Sequence, residues 1–115
     1  MYDYSGNGDE SMTYVCPVCG FDGLDEPAYN KFNDPSFEIC LCCQFQFGDD
    51  DDIEIEEGLF MQREETHTNY RKAWIESGAP IFQTEYYPKQ FQYDGAVTKK
   101  HLIEQLKNIH IFEEQ

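Results

Sequence analysis

Four of the five cysteines fall into two pairs whose spacing is typical of a metal site. Cys16 and Cys19 form the first pair, in "YVCPVCGF", and Cys40 and Cys43 form the second, in "EICLCCQF". Two residues separate the members of each pair, and residues 20–39 separate the pairs. This arrangement lies within the C-x2-C, about 15 to 20 residues, C-x2-C pattern that predicts zinc binding.

The two-residue gap has a physical reason. It lets the chain turn around one ion, so both thiolates reach it at about 2.3 Å while nearby backbone N–H groups point at the sulfurs. Four thiolates leave no open coordination position, so we expect a structural zinc ion. The alternatives that stay open are an iron site, and disulfides or a redox dithiol.

The residue after each pair must turn the chain. Gly20 follows the first pair and suits a left-handed turn, whereas Gln44 occupies the equivalent position after the second. A residue other than glycine costs roughly 1 kcal/mol in that conformation. Cys42 belongs to neither pair, and we predict that its small side chain packs beside the site without binding the metal.

Iron is the main alternative metal. "YVCPVCGF" resembles the first knuckle of rubredoxins, which implies one iron held by the same four cysteines and a role in electron transfer. Gln44, two long helical segments and a shorter segment between the pairs count against it. A redox dithiol needs a helix that starts at the pair, and Pro17 with Gly20 favours a turn instead.

Residues 14–52 also resemble the cysteine-rich CPCC family of small, mostly bacterial proteins. The resemblance is carried by "YVCPVCGFDGLDEP" and "SFEICLCCQFQFGDDD", and "NYRKAW" at 69–74 resembles the family's later helical piece. It implies zinc on Cys16, Cys19, Cys40 and Cys43, with Phe45 near the family's aromatic residue. The chain departs from the family in reading CPVC rather than CPCC and in adding Cys42, and the helix from Thr98 lies outside the resemblance.

The elements around the cysteines predict one small α+β domain, in which a zinc ribbon or knuckle pair of short antiparallel strands packs against two helices. Thr98 is a predicted N-cap for the second helix, and Gly78 with Pro80 ends the first. The predicted segments are a flexible tail (1–12) and a single zinc-binding domain (13–115), divided into knuckles and acidic strip (13–57), helix (58–78), aromatic loop (79–95) and helix (96–113).

Charge restricts the partners. The chain has 23 acidic and 8 basic residues, a formal net charge of −15. Nucleic acids and acidic membrane surfaces would be repelled, so a basic protein is the expected partner. One version is an immunity or antitoxin-like protein that neutralises a cationic toxin. The acidic run 49–57 fails the EF-hand pattern, since Ile55 stands where that loop needs glycine.

The remaining features predict a cytoplasmic protein without catalytic activity. The polar opening sequence does not predict a signal peptide, and no apolar stretch is long enough for a membrane span. His67 is expected to be a core or boundary residue, and His101 and His110 surface groups. Rings cluster late in the chain, and they either cover the core or form a protein-binding patch: Phe82, Tyr86, Tyr87, Phe91 and Tyr93.

Overall fold

The computed structural model describes residues 12–111. Within that range the fold is α+β, with two helices and two short antiparallel strand pairs, which confirms the predicted class. The predicted tail, apart from Met12, and the end of the predicted last helix lie outside the described residues. No helix in the described range is both long and apolar enough to cross a membrane.

The cysteine-containing segment consists of turns closed by single β-bridges. Tyr14 pairs with Leu24 across the first knuckle, and Ile39 pairs with Gln46 across the second. A third bridge, between Tyr29 and Pro35, closes the loop between them. Each knuckle is therefore a tight turn whose ends are held together by the smallest unit of antiparallel pairing.

A short hairpin follows the knuckles where the sequence predicted the start of a helix. Strand β1 (Glu54–Glu56) pairs with strand β2 (Leu59–Phe60). Gly58 makes the turn at φ +80°, and its N–H donates to the Glu54 carboxylate at 2.8 Å. The predicted helix 58–78 was therefore wrong at its beginning. The positive φ at Gly58 stops a right-handed helix from including it, and apolar spacing alone does not separate the two structures.

The first helix, α1, spans Arg63–Glu76. It buries His67 and Trp74 seven residues apart, which places both on the face directed at the core. Trp74 Nε1 donates to the Pro80 carbonyl oxygen at 2.9 Å. The helix ends as predicted, because Gly78 adopts φ +98° and the chain turns back.

The stretch predicted as an aromatic loop contains two 3-10 turns, Thr84–Tyr86 and Lys89–Phe91. Strand β3 (Gln92–Tyr93) then pairs with strand β4 (Ala96–Val97). The predicted loop therefore contains regular secondary structure, namely the two 3-10 turns and strand β3.

The second helix, α2, spans Lys99–Lys107 rather than the predicted 96–113. The Thr98 hydroxyl accepts from the His101 N–H at 3.2 Å, which confirms the predicted N-cap. The residues before the cap belong to β4, and His110 at φ +63° lies in a turn after the helix. The apolar pattern continued past both ends because strand and turn residues also pack inward.

The core surrounds the cysteines. The Phe45 ring has its centroid 5.5 Å from that of Phe47 and 4.9 Å from that of Tyr70, in an edge-to-face contact with the latter. Leu24 from the first knuckle is fully buried with them, and Leu102 from α2 packs against the same cluster. The two helices and the two knuckles therefore share one core.

Candidate metal centre

The sulfurs of the four predicted ligands lie together in the core. The Sγ atoms of Cys16, Cys19, Cys40 and Cys43 are all within 4.8 Å of one another. Cys16 Sγ is 3.9 Å from Cys43 Sγ, and Cys19 Sγ is 3.8 Å from Cys40 Sγ. A tetrahedron with metal–sulfur bonds of about 2.3 Å has edges of about 3.8 Å. The spacing fits four ligands of one metal ion, and the thiols are free rather than joined in disulfides.

The first knuckle builds this geometry with backbone hydrogen bonds. The Cys16 N–H donates to the Phe21 carbonyl at 2.7 Å, and the Gly20 N–H donates to the Cys16 carbonyl at 2.8 Å. The Val18 N–H points at Cys16 Sγ, 3.4 Å away. Gly20 has φ +87°, as the sequence predicted. The turn therefore directs an amide dipole at a sulfur, which stabilises its charged form.

The second knuckle repeats the same pattern. The Cys40 N–H donates to the Phe45 carbonyl at 3.0 Å, and the Gln44 N–H donates to the Cys40 carbonyl at 2.8 Å. Gln44 adopts φ +73°, so it does take the left-handed conformation that glycine takes in the first knuckle. The two knuckles present their cysteine pairs to each other as equivalent halves of one site.

The electrostatics of the sulfur cluster favour a cation. Burial raises the pKa of Cys19 and that of Cys43, and hydrogen bonds from the other cysteines, led by Cys16, lower that of Cys40. Four thiolates need a bound cation to compensate their charge, and binding releases the protons.

Helix α1 holds both knuckles through two adjacent residues. Arg71 Nε donates to the Val18 carbonyl at 2.7 Å, and another nitrogen of its guanidinium donates to the Pro17 carbonyl at 3.3 Å. The Tyr70 hydroxyl donates to the Cys43 carbonyl at 2.9 Å. Burial raises the pKa of Tyr70 to about 12, so the phenol stays protonated and remains a donor. Neither residue was predicted from the sequence to contact the knuckles, although both lie in "NYRKAW".

Helix α2 holds the first knuckle from the other side. Gln105 is buried, and its Nε2 donates to the Cys19 carbonyl at 3.0 Å. The same nitrogen lies 3.5 Å from Cys42 Sγ, and Gln105 Oε1 accepts from the Tyr87 hydroxyl at 2.6 Å. Cys42 is thus fully buried beside the site and outside the group of four sulfurs, where the sequence placed it.

The contact between α2 and the knuckle is close enough to require glycine. A Cβ added to Gly20 would lie 1.9 Å from the Gln105 carbonyl oxygen. Asn108 Nδ2 also donates to the Gly20 carbonyl at 2.9 Å. Both the backbone conformation and the packing of α2 therefore require glycine at position 20.

The segment after α1 completes the enclosure of the second knuckle. The Phe82 N–H donates to the Cys42 carbonyl at 3.0 Å, and the Gln83 N–H donates to the Leu41 carbonyl at 2.9 Å. These bonds use carbonyls that the knuckle turn leaves without partners. The two knuckles are consequently held by three other parts of the chain, namely α1, α2 and the segment after α1.

A second polar cluster ties the acidic run to α1. The Tyr29 hydroxyl donates to the Asp51 carboxylate and lies 3.0 Å from His67 Nε2, and Asp51 also accepts from the Gly48 N–H at 3.0 Å. The Arg63 guanidinium stacks 3.8 Å from the Tyr29 ring centroid. The Asp51 side chain is only 6% exposed, so this carboxylate is buried although it belongs to the acidic run 49–57.

His67 is the buried histidine that the sequence predicted, and it has a testable titration. Burial lowers its pKa to about 4, with a smaller opposing effect from Asp51. An imidazole in water titrates near pH 6.5. We expect the His67 ring resonances in NMR spectra to stay constant from pH 7.5 to about 5.5. The neutral His67 ring makes its full contribution to the free energy of unfolding above about pH 6.5. This contribution is lost as the pH falls toward 4, because the unfolded chain binds a proton there that the folded protein does not.

A His67 midpoint between pH 6 and 7 would show that the ring is solvated and that its packing against Tyr29 and Phe45 is looser than described.

Together these features define a small α+β protein with a buried four-cysteine centre suited to one metal ion. The chain is 32% identical over 103 residues to "Uncharacterized protein YoaQ" of Bacillus subtilis (strain 168), covering 85% of this chain and 87% of that protein. It belongs to the same family as YoaQ.

Two further proteins of Bacillus subtilis (strain 168) are similar. "Uncharacterized protein YozI" is 27% identical over 104 residues, covering 85% of this chain and 86% of that protein. "Uncharacterized protein YhgB" is 45% identical over 42 residues, covering 36% of this chain and 40% of that protein. No family model and no solved structure matches the chain, so the resemblance to the CPCC family stays a prediction.

Proposed function

We propose that this is a zinc protein in which the four-cysteine site has a structural role, and that its activity is non-catalytic binding of a basic protein. The observation that carries the metal proposal is the spacing of the four buried sulfurs, 3.8 and 3.9 Å in the two cross-knuckle pairs. Zinc accepts four thiolates in tetrahedral geometry without a further ligand. The bound ion would supply the link between the two knuckles.

The surroundings of the site support a structural rather than a catalytic role. Backbone carbonyls of both knuckles are taken by Tyr70, Arg71 and Gln105, so both helices depend on the position of the cysteines. A catalytic zinc needs an open position for water or substrate. Four cysteine ligands fill the coordination shell and leave the ion to stabilise the fold.

The surface that supports partner binding is the acidic hairpin, residues 52–60. The apolar residues Ile53, Ile55, Leu59 and Phe60 are between 42% and 55% exposed there. Ile53 and Ile55 alternate with carboxylates. A two-stranded hairpin alone is marginally stable, and exposed apolar groups within one small element favour an interaction site. Apolar contact area together with acidic steering fits a basic protein surface.

The rings after α1 divide between core and surface. Tyr87 is buried, whereas Phe82, Tyr86 and Tyr93 remain exposed. The exposed rings add contact area to a strongly acidic molecule, whose formal charge of −15 becomes about −17 when four thiolates hold one dication. We infer that the partner is cationic, and an immunity or antitoxin-like role is one form that such binding would take.

Metal analysis of full-length protein, purified without added metal, tests the metal proposal. We expect one zinc per chain by mass spectrometry and no visible absorption. The second candidate is a rubredoxin-like iron electron carrier, which the same sulfur spacing and the Val18 N–H directed at Cys16 Sγ also favour. One iron per chain, a red colour and reversible one-electron reduction would replace the zinc proposal with that candidate.

The partner proposal is tested by affinity capture from source cells with metal-loaded full-length protein. We expect a basic protein to be retained at about 0.1 M salt and released at about 1 M, because the screening length falls from about 10 Å to about 3 Å. The double variant Ile55→Ser, Leu59→Ser should lose it. Met12→Ser, also at an exposed apolar residue, is the matched control. Capture that survives high salt or the hairpin variant would contradict acidic steering at this surface.

A further inference from the structure

A cavity of about 270 Å³ lies between the first knuckle, the aromatic segment and α2. Its lining includes four rings and two carboxylates, which we call the ring pocket: Phe21, Tyr87, Phe91, His101, Asp22 and Glu104. These residues come from three separate parts of the chain. The pocket is distinct from the sulfur cluster and from the acidic hairpin.

The rings that line the pocket also pack against one another. The Phe21 and Tyr87 centroids are 5.6 Å apart at an interplanar angle of 31°. The His101 ring stands edge-on to Tyr87 at 6.5 Å and stacks on Phe91 at 3.7 Å. The stacked faces of Phe91 and His101 cover each other, so a cation in the cavity would contact the remaining ring faces, which are negative, rather than the ring edges, which are positive. Such an arrangement suits an organic cation, because aromatic ring faces attract positive charge.

The polar groups of the ring pocket favour positive charge. Asp22 and Glu104 line it, and within residues 12–111 no lysine or arginine does. Lys107 contacts Glu104 at 3.4 Å, but both side chains are largely exposed and such pairs contribute little. The Tyr87 hydroxyl is occupied by Gln105 Oε1, so Tyr87 contributes its ring rather than a donor.

His101 does not oppose this preference. Burial lowers its pKa, while Asp22 and Glu104 act in the opposite direction to a smaller degree. Burial therefore favours the neutral ring, and both carboxylates line the same cavity as this ring. An anion would be repelled by two exposed carboxylates here, whereas a cation would be attracted by both.

We propose that the ring pocket binds an alkylammonium group. The rings would contact the carbon atoms next to the charged nitrogen, and Asp22 and Glu104 would compensate the charge. The source we assign is a lysine side chain of the basic partner, and this assignment rests on the proposed function. A lysine presents a slender alkyl chain that ends in one cation. The cavity volume admits such a side chain and excludes a folded peptide segment.

The experiment titrates metal-loaded full-length protein at pH 7 with N-acetyl-lysine methylamide, followed by NMR shifts of backbone amides. N-acetyl-norleucine methylamide is the neutral analogue, and choline represents a free small cation. We expect the lysine compound to bind with a dissociation constant on the order of 1 mM, with shifts at residues 87–91 and 101–105. The norleucine compound should bind at least about tenfold more weakly.

Variants locate the binding energy. Glu104→Gln should weaken lysine binding about threefold, and Phe91→Leu about fivefold, as removal of one charge and one ring predicts. Glu65→Gln removes an exposed carboxylate of α1 and should change nothing. Glu104 is exposed, so its variant is expected to fold even if Phe91→Leu does not.

Three results would overturn the proposal: equal binding of the lysine and norleucine compounds, shifts confined to other parts of the chain, or the same affinity for Glu104→Gln and Glu65→Gln. Choline binding tighter than the lysine compound would overturn lysine as the source. Metal content and salt-dependent capture by the hairpin are measured separately, so failure of the ring pocket is distinguishable from failure of the proposed function.

Discussion

Replacing Cys19 with serine is expected to abolish stoichiometric metal binding and to remove the fixed structure of residues 14–47. Serine supplies a poor ligand for zinc, and the three remaining sulfurs leave the shell open. Structural zinc contributes on the order of 10 kcal/mol or more to the folding of small metal domains. That contribution is as large as the whole stability of a typical domain, about 5 to 15 kcal/mol.

The measurements are metal content and near-ultraviolet circular dichroism, since the rings around the site report on their packing. The matched control is Cys42→Ala, which removes a thiol equally buried but outside the group of four sulfurs. It should keep one metal per chain and lose about 1 to 2 kcal/mol, from one small side chain and its contact with the Gln105 amide. If Cys19→Ser kept both metal and spectrum, or if Cys42→Ala lost the metal, the assignment of ligands would be wrong.

Local rules explain which features the sequence could predict. A C-x2-C pair closes a turn by itself, so Cys16 and Cys19 could be paired before any tertiary contact was known. The Thr98 cap and the stop at Gly78 also depend only on neighbouring residues. These features are encoded within a few positions of the chain.

The contacts that enclose the site lie beyond local patterns. Arg71 reaches a carbonyl of the first knuckle, and Gln105 reaches one across most of the chain. Arginine and glutamine are usually exposed, so their positions in the sequence do not indicate that they are buried hydrogen-bond donors. The position of Gln105 beside the apolar residues of α2 is the one feature of the sequence that favours its burial. It does not indicate which group the amide contacts.

The hairpin shows a different limit. Leu59 and Phe60 fit a helical spacing with the apolar face of α1, yet they pair with β1 and stay exposed. Asp51 likewise reads as one member of an acidic run, although Tyr29 and Gly48 draw its side chain into the structure. Composition describes the run as a whole, whereas the choice of which carboxylate is buried depends on donors elsewhere in the chain.

Gly20→Ala should be far more damaging than the same change at another glycine with similar backbone geometry. Gly20 has φ +87° and Gly58 has φ +80°, so alanine is strained by about 1 kcal/mol at either position. At Gly58 nothing lies within 4 Å of the added Cβ. At Gly20 the Cβ would meet the Gln105 carbonyl oxygen, which belongs to the backbone of α2 and cannot rotate away.

We therefore expect Gly58→Ala to cost about 1 kcal/mol and Gly20→Ala at least about 3 kcal/mol, since a clash with a packed helix adds to the strain. Chemical denaturation of the metal-loaded proteins measures the difference. Equal losses would mean that α2 does not press on the knuckle. A larger loss at Gly20, with weaker metal retention in competition with a chelator, would mean that the packing of α2 and the geometry of the sulfurs are set by the same residue. The metal centre would then depend on a helix that contributes none of its ligands.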